Sequence, residues 1–325
     1  MGPPRPGQGA RPGQRPPAWC AAPAPGPLKG RYRLTVLLAV ICALGSSLLY
    51  AAASVLQHRA AIAQPQSMAM KLSLLGRLLR NRMWLVGVGF DGLAYALQFI
   101  ALGHGSLVLV QPLLVCGLLF ALPIGAWLAG NRMTTRDWWG AAGVVVGLSA
   151  FLITASPGQG HAEVANRDWL VLFAISAVVI VGLVLASRTG NSRRRAAFLA
   201  AAAAVNYGVT AALTKAAAHL LDGGVAELFE SWEVYVLVGA GVLGMLIAQS
   251  AFQAGDLDAS LPVLTVVDPV VSIIIGAFLF GEGVRSGPLA TTIELAGLVV
   301  MTFGVVALSK AEVVRAGHDE KTGTA

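Results

Sequence analysis

Charged side chains are scarce in this sequence. Only 12% of its residues are Asp, Glu, Lys or Arg, whereas soluble domains contain roughly 25%. Hydrophobic residues make up 56%, and the mean hydropathy is +0.71. This composition excludes an ordinary water-soluble domain and favours a chain that lies mostly in a lipid bilayer.

Cysteine is also rare, with three residues in the chain. Three are too few for a disulfide framework, and Cys42 and Cys116 lie inside apolar runs, where thiols behave as small hydrophobic side chains. The five histidines lie near loops or tails without the spacing of metal ligands. The sequence therefore predicts no zinc site, no redox motif and no cofactor.

Signatures of catalysis are absent as well. The sequence has no Ser/His/Asp arrangement, nucleophile elbow or phosphate-binding loop, and no nucleotide-binding domain that would couple ATP hydrolysis to transport. The formal dinucleotide motif GVGFDG, at 87–92, lies inside an apolar run rather than after a strand. We therefore expect a protein that is not an enzyme.

Long apolar runs, by contrast, are abundant. A helix needs about 20 apolar residues to cross a hydrocarbon core about 30 Å thick. The predicted fold is thus an all-α polytopic membrane protein with about nine transmembrane helices, a tenth being left open. The predicted spans are 34–57, 83–103, 106–129, 138–155, 169–187, 196–220, 233–254, 259–280 and 289–309.

Polar segments separate and flank these runs. Residues 1–33, rich in Pro, Gly and Arg, predict a disordered tail, and residues 310–325 a C-terminal tail. Residues 58–82 carry too many Lys and Arg to cross a bilayer and predict an amphipathic stretch at its surface, with Leu72, Leu75, Leu78 and Leu79 on one face.

The net charge of +7 follows membrane topology rather than nucleic-acid binding, because Lys and Arg flank the apolar runs. They concentrate at 58–82, 130–137 and 188–195 and in the C-terminal tail, which predicts a cytoplasmic C-terminus. The N-terminus and the acidic connection 221–232 are then outside. We expect a multi-pass protein of the plasma membrane whose partners are the lipid bilayer and a small-molecule or cation substrate, with a homodimer left open.

An internal repeat is visible in two stretches, IGAWLAGN at 124–131 and IGAFLFGE at 275–282. The same offset aligns Gln98 with Gln249. The second and seventh spans are five helices apart, so the second copy crosses the membrane in the opposite direction. This predicts two inverted repeats, an architecture of secondary transporters with a binding site between the halves.

The predicted domain boundaries follow from this repeat. They are a first membrane repeat at 34–155, a connecting helix and basic loop at 156–195, and a second membrane repeat at 196–309.

The charged residues are not repeated. In the other copy each of four membrane-embedded acidic residues aligns with an uncharged one: Asp91 with Val242, Asp268 with Gly117, Glu294 with Gly143, and Glu282 with Asn131. Helices must pack in both halves, whereas a cargo needs one set of ligands. We therefore interpret the unpaired charges as functional candidates.

Two stretches, ALQFIALGHGSLVLVQPLLV at 96–115 and QSAFQAGDLDASLPVLTVVDP at 249–269, each precede a Gly-Ala helix end. In this respect the chain resembles the drug/metabolite transporter superfamily and its EamA-like repeat over roughly 34–309. That family usually has five plus five spans, and the resemblance implies transport by alternating access.

Relative to that pattern one early span is absent, which makes the chain similar to the NIPA-type magnesium transporters. GFDGLAYAL at 89–97 keeps the Ala-Tyr pair of that branch. Asp91 stands where Asn is usual, and Val88 where an acidic residue is usual, so an organic solute and a divalent cation both remain open as cargo.

Asp91 lies near the middle of the second span, where a bare carboxylate costs several kcal/mol. We expect it to bind a cation or proton, with Lys215, Gln249 or Asn206 as partner. Lys215 itself has the alternative of extending to the membrane surface. Helix packing through hydrogen bonds is the alternative role for Asp91.

Asp268 precedes Pro269 in a span where a freed carbonyl could line a cavity. Glu294 is the second candidate for a cation, and a metal site, if present, would use Asp91 and Glu294. The glutamines Gln98, Gln111, Gln249 and Gln253 offer donors and acceptors to a polar cargo or to neighbouring helices. Glu282 is expected at a helix end in contact with water.

Three function classes stay open at this point. The first is a secondary transporter or facilitator of the drug/metabolite type, the second a magnesium transporter, and the third a membrane scaffold or sensor that moves nothing. A dry repeat interface with Asp91 paired to Lys215 would favour the scaffold.

Overall fold

The computed structural model describes residues 27–62, 80–129, 133–155, 158, 160–161, 164–254, 257–282 and 287–322. Within these residues the secondary structure is helical, without strands. The helices are α1 (Pro27–Ile62), α2 (Arg82–His104), α3 (Leu107–Leu114), α4 (Gly117–Ala129), α5 (Thr135–Ala155), α6 (Asn166–Ala186), α7 (Ser192–Leu220), α8 (Val225–Glu230), α9 (Trp232–Ala254), α10 (Leu257–Leu279) and α11 (Pro288–Thr322), with a 3₁₀ turn at Leu221–Gly223.

In the described part of the chain, nine helical segments are long and apolar enough to cross a membrane. They coincide with the nine predicted spans to within a few residues, so the prediction of an all-α polytopic membrane protein is confirmed. α3 and α4 together form the third span. The short α8 lies in the acidic connection after α7.

The third span is interrupted near a proline. α3 ends at Leu114, shortly after Pro112, and α4 begins at Gly117. In between, the N–H groups of Val115 and Cys116 donate to carbonyls three residues earlier, at 3.3 and 3.1 Å, which is the tighter 3₁₀ pattern. α10, the corresponding span by sequence, contains two prolines and continues without such a break.

Polar side chains begin several helices. Asn81 accepts N–H bonds from Met83 and Trp84 at the start of α2, and Asn191 accepts one from Arg194 at the start of α7. Such N-caps satisfy backbone donors that have no partner within the helix. At these two positions the polar cap lies directly before the helix and fixes its first residue.

Helix packing recurs in two sets. α1 lies against α2 and against α3 and α4, and α7 lies in the same way against α9 and α10. α5 and α11 pack along each other and join the two sets. The two sets correspond helix by helix in the order of the sequence repeat. α1 corresponds to α7, α2 to α9, the broken span of α3 and α4 to α10, and α5 to α11.

Glycines allow α5 and α11 to approach closely. Gly140 lies against Leu308, and further along α5 Gly147 lies against Gly297. The residue numbers of the contacting positions increase along α5 while they decrease along α11, so the two helices run antiparallel. A Cβ at Gly147 would come within 2.5 Å of the Gly297 carbonyl oxygen, so the backbones are in direct contact.

The outer helices expose apolar side chains. On α6, Leu170 and Val178 are 69% and 73% exposed, and on α9 Val238 is 62% exposed. Exposed apolar surface on spanning helices would promote association in water but is suited to contact with lipid tails. The described helices therefore form a multi-pass membrane protein.

Some sequence predictions concern the ends of the chain. α1 begins at Pro27, inside the predicted tail, and α11 continues to Thr322, inside the predicted C-terminal tail. The predicted amphipathic stretch falls mostly at 63–79, outside the described residues, as do residues 1–26. The predicted domain boundaries remain predictions.

Candidate functional site

α7 is the most enclosed of the spanning helices. Most of its residues are buried, and many are alanine, whose small side chain lets neighbouring helices come close. It contacts α2, α6, α9 and α10. Asn206 and Lys215, two of the predicted site residues, are both buried on this helix.

Lys215 forms an ion pair with Glu282, which follows the end of α10. Its Nζ lies 2.5 Å from Oε1 of Glu282, and the two side chains are 3% and 0% exposed. The carboxylate also accepts the backbone N–H of Leu107 at 2.8 Å and that of Val108 at 2.9 Å. Glu282 therefore caps the first turn of α3.

These contacts compensate a charge that would otherwise be costly to bury. The first N–H groups of a helix lack partners within it and carry partial positive charge, so they favour a carboxylate. A lysine and two N–H donors together replace the water that Glu282 loses. The arrangement is a closed buried network.

Two sequence predictions are wrong here. Glu282 was expected in contact with water, and Lys215 was expected either at the membrane surface or beside Asp91. A turn explains the difference: Gly281 has φ +59°, and the N–H of Glu282 donates to the carbonyl of Gly276 at 3.1 Å. This left-handed glycine folds the chain back, so that the next side chain points into the bundle.

Aromatic rings enclose the pair. The Phe280 ring centroid lies 4.8 Å from the Lys215 ammonium, and Trp169 packs edge to face on Phe280 at 6.3 Å. The His161 N–H donates to the Phe280 carbonyl at 2.7 Å. A Cβ at Gly160 would overlap that carbonyl, so this loop rests directly on the end of α10.

Asp91 has a different partner from those predicted. Its Oδ2 accepts a hydrogen bond from Gln57 Nε2, on α1, at 2.6 Å. The prediction of Lys215, Gln249 or Asn206 as partner is therefore wrong. Packing explains it, because α2 lies along α1 over most of its length. Asp91 is half-buried and has no cationic partner among the described residues.

Further polar contacts lie along the interface between α1 and α2. Tyr50 donates to Gln98 Oε1 at 3.2 Å, and Ser46 donates to the Ala94 carbonyl at 2.7 Å. Tyr95 contacts Thr214 of α7 at 3.3 Å. Thr214 precedes Lys215, so this contact links the Asp91 face of α2 to the helix that carries the buried lysine.

Asn206 makes the comparable contact in the second half. Its Nδ2 donates to the Ala240 carbonyl on α9 at 2.7 Å. In each half, a side-chain amide on the first helix thus donates a hydrogen bond to the next spanning helix: Gln57 on α1 to α2, and Asn206 on α7 to α9. In the first half it meets the carboxylate of Asp91, and in the second half it meets only backbone.

The remaining glutamines are dispersed. Gln111 is buried on α3, whereas Gln249 and Gln253 are exposed on α9. Exposed α9 positions do not face the interior network around Lys215. The described packing therefore does not bring all predicted glutamines into one site.

Asp268 and Glu294 lie on α10 and α11. Asp268 accepts a hydrogen bond from Ser272 at 3.3 Å, one turn along its own helix. Glu294 is 5% exposed, and its Oε1 has no hydrogen-bond partner within the described residues. Neither carboxylate pairs with a Lys or Arg in that part of the chain.

The described residues contain no group of three His, Cys, Asp or Glu side chains that could hold a metal ion. In the same part of the chain α2 and α11, which carry Asp91 and Glu294, share no extended contact. A metal site formed by those two carboxylates stays a prediction that this packing does not support.

Sequence reasoning counted Glu282 among the unrepeated charges but expected it in contact with water, and it assigned no site role to Gln57 or Tyr50. The signal for Glu282 was present, because the repeat replaces Asn131 with an acid at that position. Gln57 and Tyr50 could not be found in this way, since pairing between α1 and α2 depends on how the helices are rotated toward each other.

Comparison with known proteins identifies a relative. No family model matches the chain. No solved structure matches it either. A Corynebacterium glutamicum protein described as uncharacterized is 31% identical over 282 residues, which cover 86% of this chain and 98% of the relative. The chain therefore belongs to the same family as this C. glutamicum protein.

Proposed function

We propose that the chain is a secondary transporter or facilitator of the drug/metabolite type in the plasma membrane. It moves a small solute or a cation by alternating access between the half formed by α1 to α5 and the half formed by α7 to α11. Asp91, Asp268 and Glu294 are the groups that bind the cargo or the coupling ion.

One observation carries this proposal. Three carboxylates lie inside spans, and among the described residues none pairs with a Lys or Arg. The one described lysine within a span, Lys215, is used by Glu282. Carboxylates at this depth are expensive to keep charged, so they are stable with a proton or a bound cation. Reversible binding of either is what a coupled transporter requires.

The packing supports two halves that move against each other. Contacts within one half recur in the other, and α5 runs antiparallel to α11 where the halves meet. Inverted repeats of this kind place a site near the midplane. A pair between Asp91 and Lys215 would have favoured the scaffold alternative, and Asp91 contacts Gln57 instead while Lys215 contacts Glu282.

Magnesium remains an alternative cargo with less support. Mg²⁺ usually keeps several waters and uses one or two carboxylates, so the isolated acids are compatible with a hydrated ion. The separation of Asp91 from Glu294 on helices without extended contact favours separate roles for them.

The test is transport by the purified protein in liposomes. Currents on a solid-supported membrane are recorded while the outside is switched to low pH, to MgCl₂, or to pools of organic cations, amino acids and sugars. We expect a saturable current for at least one condition, and its loss in Asp91→Asn and in Glu294→Gln.

The matched control is Asp168→Asn, which changes an exposed carboxylate in the first turn of α6. It should transport like the native protein. If no condition gives a current, transport that moves net charge is refuted, which favours the scaffold. If only MgCl₂ gives one, the magnesium alternative replaces the organic solute.

A further inference from the structure

We propose that Glu282 is the lock of a gate at the end of the bundle where α3 begins. Its carboxylate holds the first turn of α3, in the first half, against the end of α10, in the second half. The lock opens once in each transport cycle. This inference rests on the proposed function.

The bonds of Glu282 divide between the halves. Lys215 lies on α7, in the same half as Glu282, whereas Leu107 and Val108 belong to the other half. Rocking of one half against the other leaves the ion pair intact and breaks the two N–H bonds. The contact that must open is therefore separate from the contact that neutralises the charge.

This division makes the lock reversible. A carboxylate without a counter-charge would resist leaving its N–H donors, because a bare charge in an apolar bundle is costly. Lys215 moves with Glu282 and keeps it neutralised in the open state. Opening then costs two hydrogen bonds to a charged acceptor, and closing restores them.

The gate is closed in this structure. Leu107 and Val108 are fully buried, and Ser106 beside them is 2% exposed. Phe280 and Trp169 cover the ion pair from the adjacent side. By the predicted topology this is the outer end, since it adjoins the connection 221–232.

The sequence repeat limits the lock to one copy. The position that matches Glu282 in the first half is Asn131, which has no charge. A neutral amide accepts N–H bonds more weakly than a carboxylate. The proposal therefore explains why the chain repeats this helix end and keeps the acid in one copy only.

The test reads the opening of α3 directly and needs no cargo. The full chain is placed in lipid nanodiscs, where both faces are accessible, and amide hydrogen exchange is followed by mass spectrometry in peptides that contain 105–112. In Glu282→Gln, which keeps the size and removes the charge, exchange in this segment should rise at least tenfold. Glu282→Ala should raise it further.

A second readout uses labelling. In a background without the native cysteines, Ser106→Cys should react slowly with a charged thiol reagent, and at least tenfold faster when Glu282→Gln is added. Asp137→Asn is the matched control, because Asp137 is also a buried carboxylate in a first helical turn but lies on α5. It should leave α3 exchange and Ser106→Cys labelling unchanged.

The outcomes separate the gate from the transporter. Unchanged exchange and labelling in both Glu282 variants would overturn the gate. A variant that loosens α5 and α11 as much as α3 would also overturn it, because the effect would then be general unfolding. Absence of current in the liposome test counts against the proposed function alone, since neither readout here depends on transport.

Discussion

Removing only the lysine of the buried Lys215–Glu282 pair should destabilise the protein more than removing both charges. In Lys215→Met the Glu282 carboxylate keeps its two N–H donors and loses its counter-charge in a site that is 0% exposed. Removing one partner of a buried pair typically costs about 3–5 kcal/mol. We expect a loss of that size in the free energy of unfolding.

The double variant Lys215→Met with Glu282→Gln contains no buried charge. Its amide oxygen still accepts the N–H groups of α3, but as a neutral acceptor, so each of the two bonds weakens from about 1.5–3 to about 0.5–1.5 kcal/mol. The double variant should therefore lose about 2–3 kcal/mol, less than Lys215→Met alone, and much less than the sum of the single changes.

The assay is equilibrium unfolding by SDS in mixed micelles, followed by far-UV circular dichroism and tryptophan fluorescence. Trp169 and Trp232 pack 5.7 Å apart beside the pair and report locally. Asp168→Asn is the control and should unfold like the native protein. Additive losses in the double variant would refute a coupled buried pair.

Three further predictions concern packing and polar contacts. Gly147→Ala should cost about 1–3 kcal/mol by forcing α5 from α11, whereas Gly182→Ala, with open space around it, should leave SDS unfolding unchanged or improved. Asp137→Ala removes the acceptor for the Thr134 N–H at the start of α5 and should cost about 1 kcal/mol in the same assay. Gln57→Leu removes the donor to Asp91 and should lower the liposome current at least tenfold with unchanged unfolding; an unaltered current would show that this bond does not position Asp91 for transport.

The fold class could be predicted from sequence because each span is a local property. A helix in lipid must satisfy its backbone internally and present about 20 apolar residues, and both requirements are visible in a window of that length. The repeat was visible as well, because residues that pack helices together, such as the small and aromatic residues of 124–131 and 275–282, must be kept in both copies.

The partners of the buried charges could not be predicted in the same way. Asp91 meets Gln57, and Lys215 meets Glu282, because of helix rotation and one left-handed glycine at 281. A pair separated by 67 residues is decided by which faces of α7 and α10 meet, and no local pattern encodes that.

The sequence alone thus determined a polytopic helical membrane protein with an internal repeat, because hydrophobic length and repeated packing residues act locally. Only the tertiary structure decided which charges are neutralised within the protein, as Glu282 is by Lys215, and which have no cationic partner among the described residues, as with Asp91. The cost of a buried charge depends on every neighbour within a few ångströms, and those neighbours come from distant parts of the chain.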